Sequence, residues 1–165
     1  IGDLKLFIRP VKPSDERMMQ EYLYHLSARS VYLRFFQNLK AFHHELAQEM
    51  VSVDYDRRFG IVATTGTADA ERIVAAAHWI LDINQNVAEA AFSVADQYQR
   101  RGIGRYMTRL LARIAKKRGI KGFQATVLAE NIAMKRILQR EAVESGGVLH
   151  TTYDERVVTL QYKFG

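Results

Sequence analysis

Cysteine is absent from the 165 residues, which excludes disulfides and cysteine-rich zinc sites. No stretch approaches the roughly 18 consecutive apolar residues that a membrane-spanning helix needs. The amino terminus also lacks a basic segment followed by an apolar one and a small-residue cleavage site. The expectation is a cytoplasmic protein without a membrane partner. The first residue is Ile1 rather than Met, as in a trimmed domain or one cut from a longer chain. With 48% apolar and 25% charged residues, the length suits one globular domain, 1–165, of the usual roughly 100–200 residues. No internal repeat or low-complexity segment interrupts it.

Acid is missing where base is densest. Between Asp96 and Glu130 there is no carboxylate, yet nine arginines and lysines fall in that interval. A net charge of +6 attracts anions over long range, and here the positive field is concentrated in "QRRGIGRYMTRLLARIAKKRG", residues 99–119. Such a run suits a nucleic-acid surface, a solvated helix face or a seat for a phosphorylated ligand.

The hydrophobic periods lay out the elements. Residues 4–9 alternate and stop at Pro10, as an edge strand does. Ser14 is expected to cap a helix carrying Met18, Met19, Tyr22, Leu23 and Leu26. Further helices are expected around Val31, Leu33, Phe35 and Phe36 and over 42–50. Strands follow over 58–65, 73–81 and 86–94, the first two joined by the polar "GTADAE". From Gly102 the period becomes helical: Ile103, Tyr106, Met107, Leu110, Leu111 and Ile114 form one stripe, and Arg105, Arg109, Arg113 and Lys116 the opposite one. Gly119 ends this helix. "GFQATVL" reads as a buried strand, "NIAMKRILQR" as a helix opened by Asn131, and 143–150 and 157–164 as closing strands with Tyr153 and Asp154 between them. The expected class is α+β, a three-layer α/β/α domain with a mixed, mostly antiparallel sheet of about six to seven strands and helices on both faces.

A strand, a short loop with two glycines and a helix start coincide in "SVADQYQRRGIGRYM". This arrangement aims unpaired backbone N–H groups and the positive end of a helix dipole at one point, where an anion fits. Gly102 and Gly104 let the backbone approach phosphate oxygens, and Arg100, Arg101 and Arg105 add charge. A dinucleotide fingerprint would need a third glycine where Met107 stands, and a P-loop would need Gly-Lys-Ser/Thr where the chain reads "GRY". What remains is Gln-x-x-Gly-x-Gly on Gln99, Gly102 and Gly104.

In this element order the motif resembles that of the GNAT superfamily of acyl-CoA-dependent N-acetyltransferases, and the resemblance covers nearly the whole chain. "SVYLRFF", "DYDRRFGIVA", "AEAAFSV" and "VLAENIAM" look, more narrowly, like bacterial protein-lysine acetyltransferases of the Pat type, in which such a domain is often fused to regulatory or synthetase-like domains. The resemblance implies a GNAT fold and acetyl-CoA as co-substrate. It implies that Gln99, Arg100, Arg101, Gly102, Ile103, Gly104 and Arg105 bind the pyrophosphate, that Phe92, Ser93 and Val94 take the pantetheine arm, and that Asn131 flanks it.

Acetyl transfer needs a neutral amine, and a lysine of pKa about 10.4 loses its proton at pH 7 at a cost of roughly 4–5 kcal/mol. A base is required. Glu89 is the acid on the strand leading to the glycine loop, and the Pat-like pattern places its catalytic glutamate there, fifteen residues before Gly104. Partial burial beside Phe92 and Trp79 is expected to raise its pKa into a useful range, and a backbone N–H of 92–94 to steady the thioester oxygen. Many relatives carry a tyrosine seven residues after the helix-opening asparagine; here that position is Leu138. A thiol of pKa about 8.5 leaves fairly easily without one.

The bland readings stand beside these. Glu89 alone reads as a surface carboxylate, and the arginine stripe beyond its first turn as a solvated face. His25, His78 and His150 are expected to be structural. His43 and His44 point apart on a helix, so no metal site is expected. Tyr32, Phe35 and Phe36 read as core, and Asp54, Tyr55 and Asp56 as a possible brace of the acceptor groove. Three functions follow: acetylation of a protein lysine, with a partner such as an acyl-CoA synthetase; acetylation of a small amine; and, from another class, nucleic-acid binding. The last lacks any RNP-like or zinc-finger pattern, so no nucleic-acid partner is expected.

Overall fold

Alternating runs of small and β-branched residues build the centre of a sheet, and helical stripes on either side of them in sequence cover its two faces. The computed structural model describes residues 4–39, 41–42 and 44–165. In chain order its elements are β1 (Phe7–Pro10), α1 (Glu16–Tyr24), α2 (Ala28–Phe35), α3 (His44–Val51), β2 (Arg58–Thr65), β3 (Arg72–Asp82), β4 (Val87–Val94), α4 (Ile103–Lys117), β5 (Gly122–Leu128), α5 (Ile132–Glu144), β6 (Leu149–Asp154) and β7 (Val157–Lys163). The seven strands form one sheet in the order β1-β2-β3-β4-β5-β7-β6. Every neighbouring pair is antiparallel except β4 and β5. The expected three-layer α+β class is what the chain adopts.

Each face has its own core. Ala75, Ala77 and Trp79 of β3, with Ala88, Ala90 and Phe92 of β4, pack against Ile103, Met107, Leu111 and Ala115 of α4 and Leu138 of α5. The spacing of 103, 107, 111 and 115 keeps these four on one stripe of α4, and each large side chain there contributes about 1.5–3 kcal/mol by leaving water. On the other face Val62, Ile73 and Ala76 meet Met19, Tyr22 and Leu23 of α1, Val31 of α2 and Ala47 and Met50 of α3. Among the described residues no helix is long and apolar enough to cross a membrane.

Several expected boundaries move, and β1 starts at Phe7 rather than at residue 4. Ser14 lies inside a 3-10 turn, Pro13–Asp15, and Asp15 is the N-cap of α1. At the far end, α5 runs on to Glu144, because exposed Val143 extends the helix instead of opening a strand; β6 starts at Leu149 and takes in Tyr153 and Asp154. The sequence over 143–150 had looked strand-like because its valines sit near two glycines, but those glycines, one at φ +70°, make the turn between helix and strand. The helix expected over 42–50 is α3. His43 lies outside the described residues, as does Ile1.

An ion pair ties the first strand to the first helix. Arg9 donates to both carboxylate oxygens of Asp15 at 2.7 and 2.8 Å, and Asp15 also accepts from the Lys12 amide at 2.8 Å. The two side chains are only 11% and 5% exposed. Burial alone would push the Asp15 carboxyl up, but the Arg9 guanidinium and the Lys12 amide hold it below the ordinary carboxylate range. The stability this gives is full above about pH 4, where the unfolded carboxylate ionises, and is lost as pH falls through the lower folded value. Asp15→Asn, which leaves the Arg9 guanidinium with Glu71 at 3.3 Å as its remaining carboxylate, is expected to cost about 2 kcal/mol in urea unfolding. It is also expected to flatten this part of the acid-side loss of stability.

Candidate active site

The sheet opens along one seam. β4 and β5 pair at Val87 with Gly122, Ala88 with Phe123 and Glu89 with Gln124, and no further. Beyond Glu89, β4 stays with β3 as far as Val94 and β5 stays with β7 as far as Leu128, so the two halves of the sheet part. The alternation of backbone directions decides which groups face the gap. Asn86 O accepts from Lys121 on the β5 side, whereas Ala95 N donates to Val74 on the β3 side. Counting by two from either end turns the N–H and C=O of Phe92 and Val94 toward the missing strand.

The glycine loop follows directly. Gly102 is the N-cap of α4 at φ +83°, a conformation that costs an L-residue about 1–2 kcal/mol. A Cβ on Gly102 would meet nothing within 4 Å, whereas one on Gly104 would lie 3.3 Å from Ile137 Cδ1 and 3.6 Å from Val94 Cγ2. The two glycines therefore do different things: Gly102 turns the chain and leaves open space, and Gly104 lets α4 lie close to α5 and β4. The first helical bond runs from the Tyr106 amide to Gly102 O, and no side chain caps the helix start. The N–H groups before Tyr106 thus point out of a 15-residue helix with its dipole behind them.

A polar clasp fixes this loop against α2. Gln99 Nε2 donates to Val94 O at 2.9 Å and to Ser30 Oγ at 3.0 Å. Asp96 accepts from Ser27 N, Ser27 Oγ and Ser30 Oγ at 2.9, 2.6 and 2.8 Å. These donors outweigh partial burial and hold the Asp96 carboxyl below its usual range.

Between the loop, the open seam and α5 lies a cavity of about 520 Å³. Of the residues expected to bind a cofactor, Phe92, Ser93, Val94, Gln99, Arg100, Gly102, Ile103, Gly104, Arg105 and Asn131 line it. Arg101 does not. The left-handed turn at Arg100, φ +57°, sends neighbouring side chains apart, and Arg101 is exposed to solvent. Arg105 lines the wall but also donates to Glu144, which Arg109 approaches at 3.6 Å. Lys116 donates to Gly165 O, and Arg118 to Tyr55 O while stacking on Phe59 at 4.3 Å. Much of the basic run therefore has partners within the chain. The wall also includes Tyr98 and, from α5, Met134, Arg136, Ile137 and Arg140. None of these α5 residues is named from the sequence as part of the site; their helical spacing after Asn131, the cap that accepts from the Met134 amide at 3.1 Å, is the signal that could find them.

Glu89 lines a second cavity of about 410 Å³, which shares Leu33, Arg34, Phe92, Asn131 and Met134 with the first. Its expected surroundings are corrected. Cross-strand partners share a face, so Glu89 stands with Ile80 and His78, while Trp79 and Phe92 turn to the α4 side. Glu89 is exposed, and the burial beside Trp79 is not there. His78, expected to be only structural, faces this second cavity with Phe35 and Phe36. Asp54, Tyr55 and Asp56 line neither cavity: Asp54 Oδ1 caps the turn before β2 by accepting from the Asp56 and Arg58 amides, two strands across the sheet from Glu89. Leu138, at the position of the missing tyrosine, is buried in the core. His44 pairs with Glu16 at 2.7 Å, and among the described residues no three His, Asp or Glu side chains gather as ligands.

Unpaired strand amides, a bare helix start and the cavity between them fit a long ligand with an amide-bearing arm and a diphosphate. Gly102→Val fills the open space above the helix amides. It is expected to weaken coenzyme A binding tenfold or more by calorimetry, whereas Gly119→Val, at φ +76° but far from the cavity, imposes similar strain and leaves that affinity unchanged.

Residues 5–141 match the family model described as an acetyltransferase (GNAT) domain. The chain is 34% identical over 157 residues to the acetyltransferase Pat of Mycolicibacterium smegmatis, covering 90% of this chain and 45% of that one. It thus spans about half the length of that relative. The GNAT domain of S. lividans PAT superposes with a TM-score of 0.83 at 24% identity, over 95% of this chain and 89% of that one, a likeness of fold. A cAMP-binding acyltransferase from Mycobacterium smegmatis matches at 31% identity and a TM-score of 0.62, over 97% of this chain and 44% of that one. With the family model spanning most of its length and the open seam and glycine loop in place, the chain belongs to the GNAT acetyltransferases.

Proposed function

We propose that this chain moves an acetyl group from acetyl-CoA to the side-chain amine of a protein lysine. The observation that carries the reading is the meeting of two cavities at the seam between β4 and β5: one is lined by the glycine loop, the other holds Glu89. In the first, the amides of Ile103, Gly104 and Arg105, with Arg100 and Arg105, would hold the diphosphate, and Gln99 braces the loop. Phe92, Ser93 and Val94 would run beside the pantetheine arm as the strand that β5 does not supply, with Asn131 across from them. Arg101 at the surface is left for long-range attraction of an anion.

In the second cavity Glu89 would take the proton from the lysine ammonium, through a water given its exposure. The amine lone pair then attacks the thioester carbon, and coenzyme A leaves as its thiolate. Among the described residues Glu89 is the only carboxylate on that wall, whereas a polyamine or a polycationic antibiotic calls for several. An exposed base among apolar side chains suits a lysine presented on another protein's surface, such as an acyl-CoA synthetase.

Calorimetric titration with acetyl-CoA at moderate salt is expected to show one site, and no heat at millimolar ligand would contradict the donor. Glu89→Gln is expected to bind acetyl-CoA as the parent does and to turn over lysine peptide about 100-fold more slowly. Unaltered turnover would remove Glu89 from the mechanism.

A further inference from the structure

Arg34 stands where the two cavities join and lines both. It projects from α2 over the β4 face that carries Glu89, Ala91 and Ser93. Its Nη2 donates to His78 Nε2 at 3.0 Å, and its Nε is buried without any acceptor. Among the described residues no carboxylate pairs with it. Its neighbours are neutral: Tyr22, whose hydroxyl donates to Ser93 Oγ at 2.9 Å, has its phenol pushed up by burial. Burial, with the charge of Arg34 itself, lowers His78 to about 3. Because a guanidinium only donates, His78 Nε2 must accept, which leaves the ring proton on Nδ1 and fixes the tautomer. Burial lowers the pKa of Arg34 too, but arginine stays charged in proteins.

A half-buried cation without a carboxylate partner is a standing cost to the fold, and its place on the walls of both cavities says what would offset it: an oxygen carrying negative charge at the cavity junction. The donor-and-acceptor reading above, on which this inference rests, creates one there. When the amine lone pair closes the C–N bond, the carbonyl π pair moves onto the thioester oxygen. The charge stays until the C–S bond breaks and the pair returns. We propose that Arg34 is a catalytic residue whose guanidinium faces this oxygen, adding a full charge to the backbone amide on β4, and that His78 is the positioning residue that holds it there. The same positive charge disfavours an ammonium beside it, so the lysine arrives more readily as the amine.

Arg34→Gln and Arg34→Lys separate this from a structural role. The glutamine variant is expected to bind acetyl-CoA within about threefold of the parent and to lose about 100-fold in kcat, the usual cost of removing an oxyanion donor. Its Tm is expected to be unchanged or raised, because a half-buried charge without a carboxylate partner has gone. The lysine variant keeps the charge and is expected to lose about tenfold. With isotope-labelled acetyl-CoA bound, the carbonyl stretch is expected at lower wavenumber in the parent than in Arg34→Gln, with Arg34→Lys between. That comparison carries the test on the lysine variant should the glutamine chain not fold. A kcat within threefold of the parent, an unshifted stretch, or a loss of turnover matched by equal losses of acetyl-CoA affinity and Tm overturns the proposal. Parent turnover with an indifferent Arg34 overturns it alone, while a parent that binds no acetyl-CoA overturns the donor reading as well.

Discussion

The architecture depends on one interrupted ladder. β4 is held by β3 along its full length but by β5 over only its first three register positions, and beyond that point backbone groups of β4 have no strand to meet. In most sheets such a gap is a defect, because unpaired amides and carbonyls cost free energy comparable to a lost hydrogen bond. Here it is an open seam in the middle of a sheet whose halves are each held elsewhere. On the proposed function, a ligand with amides of its own would complete the ladder from solution.

The elements around the slot follow from its position. The chain leaves β4 at Val94, turns at Gly102 and starts α4, so the bare helix amides fall at the open end of the seam. α5, capped by Asn131 just after β5 ends, closes the opposite wall. On the far face α2 is clasped to the loop through Asp96, Gln99 and Ser30, which brings Arg34 over the same junction. Separate stretches of the chain thus place a bare helix start, an open strand edge and a cation around a single gap.

Much of this was legible beforehand, and the misses share a cause. Gln99, Gly102 and Gly104 could be read because a glycine loop between strand and helix has few alternative uses, and α4 because its apolar stripe repeats for four turns. Glu89 was readable as a position on β4 but not in its surroundings: facing is decided by register with β3, and Ile80 and Trp79 differ by one residue. Arg101 lies off the cavity wall, where a left-handed residue at Arg100 breaks the direction a neighbour would share. Arg34 carried no local signal at all. It belongs to a motif-like stretch that reads as helix and core, and its meaning comes from His78, forty-four residues away. The end of α5 was missed because valine fits helix and strand alike when little else in the segment decides.

The most direct measurement is amide hydrogen exchange, resolved by residue, with and without acetyl-CoA. The account predicts that ligand slows exchange at Phe92, Val94, Ile103, Gly104 and Arg105 together, and leaves the fully paired amides of β2 unchanged. Protection confined to other elements, or none at the open seam while the ligand is bound, would contradict it.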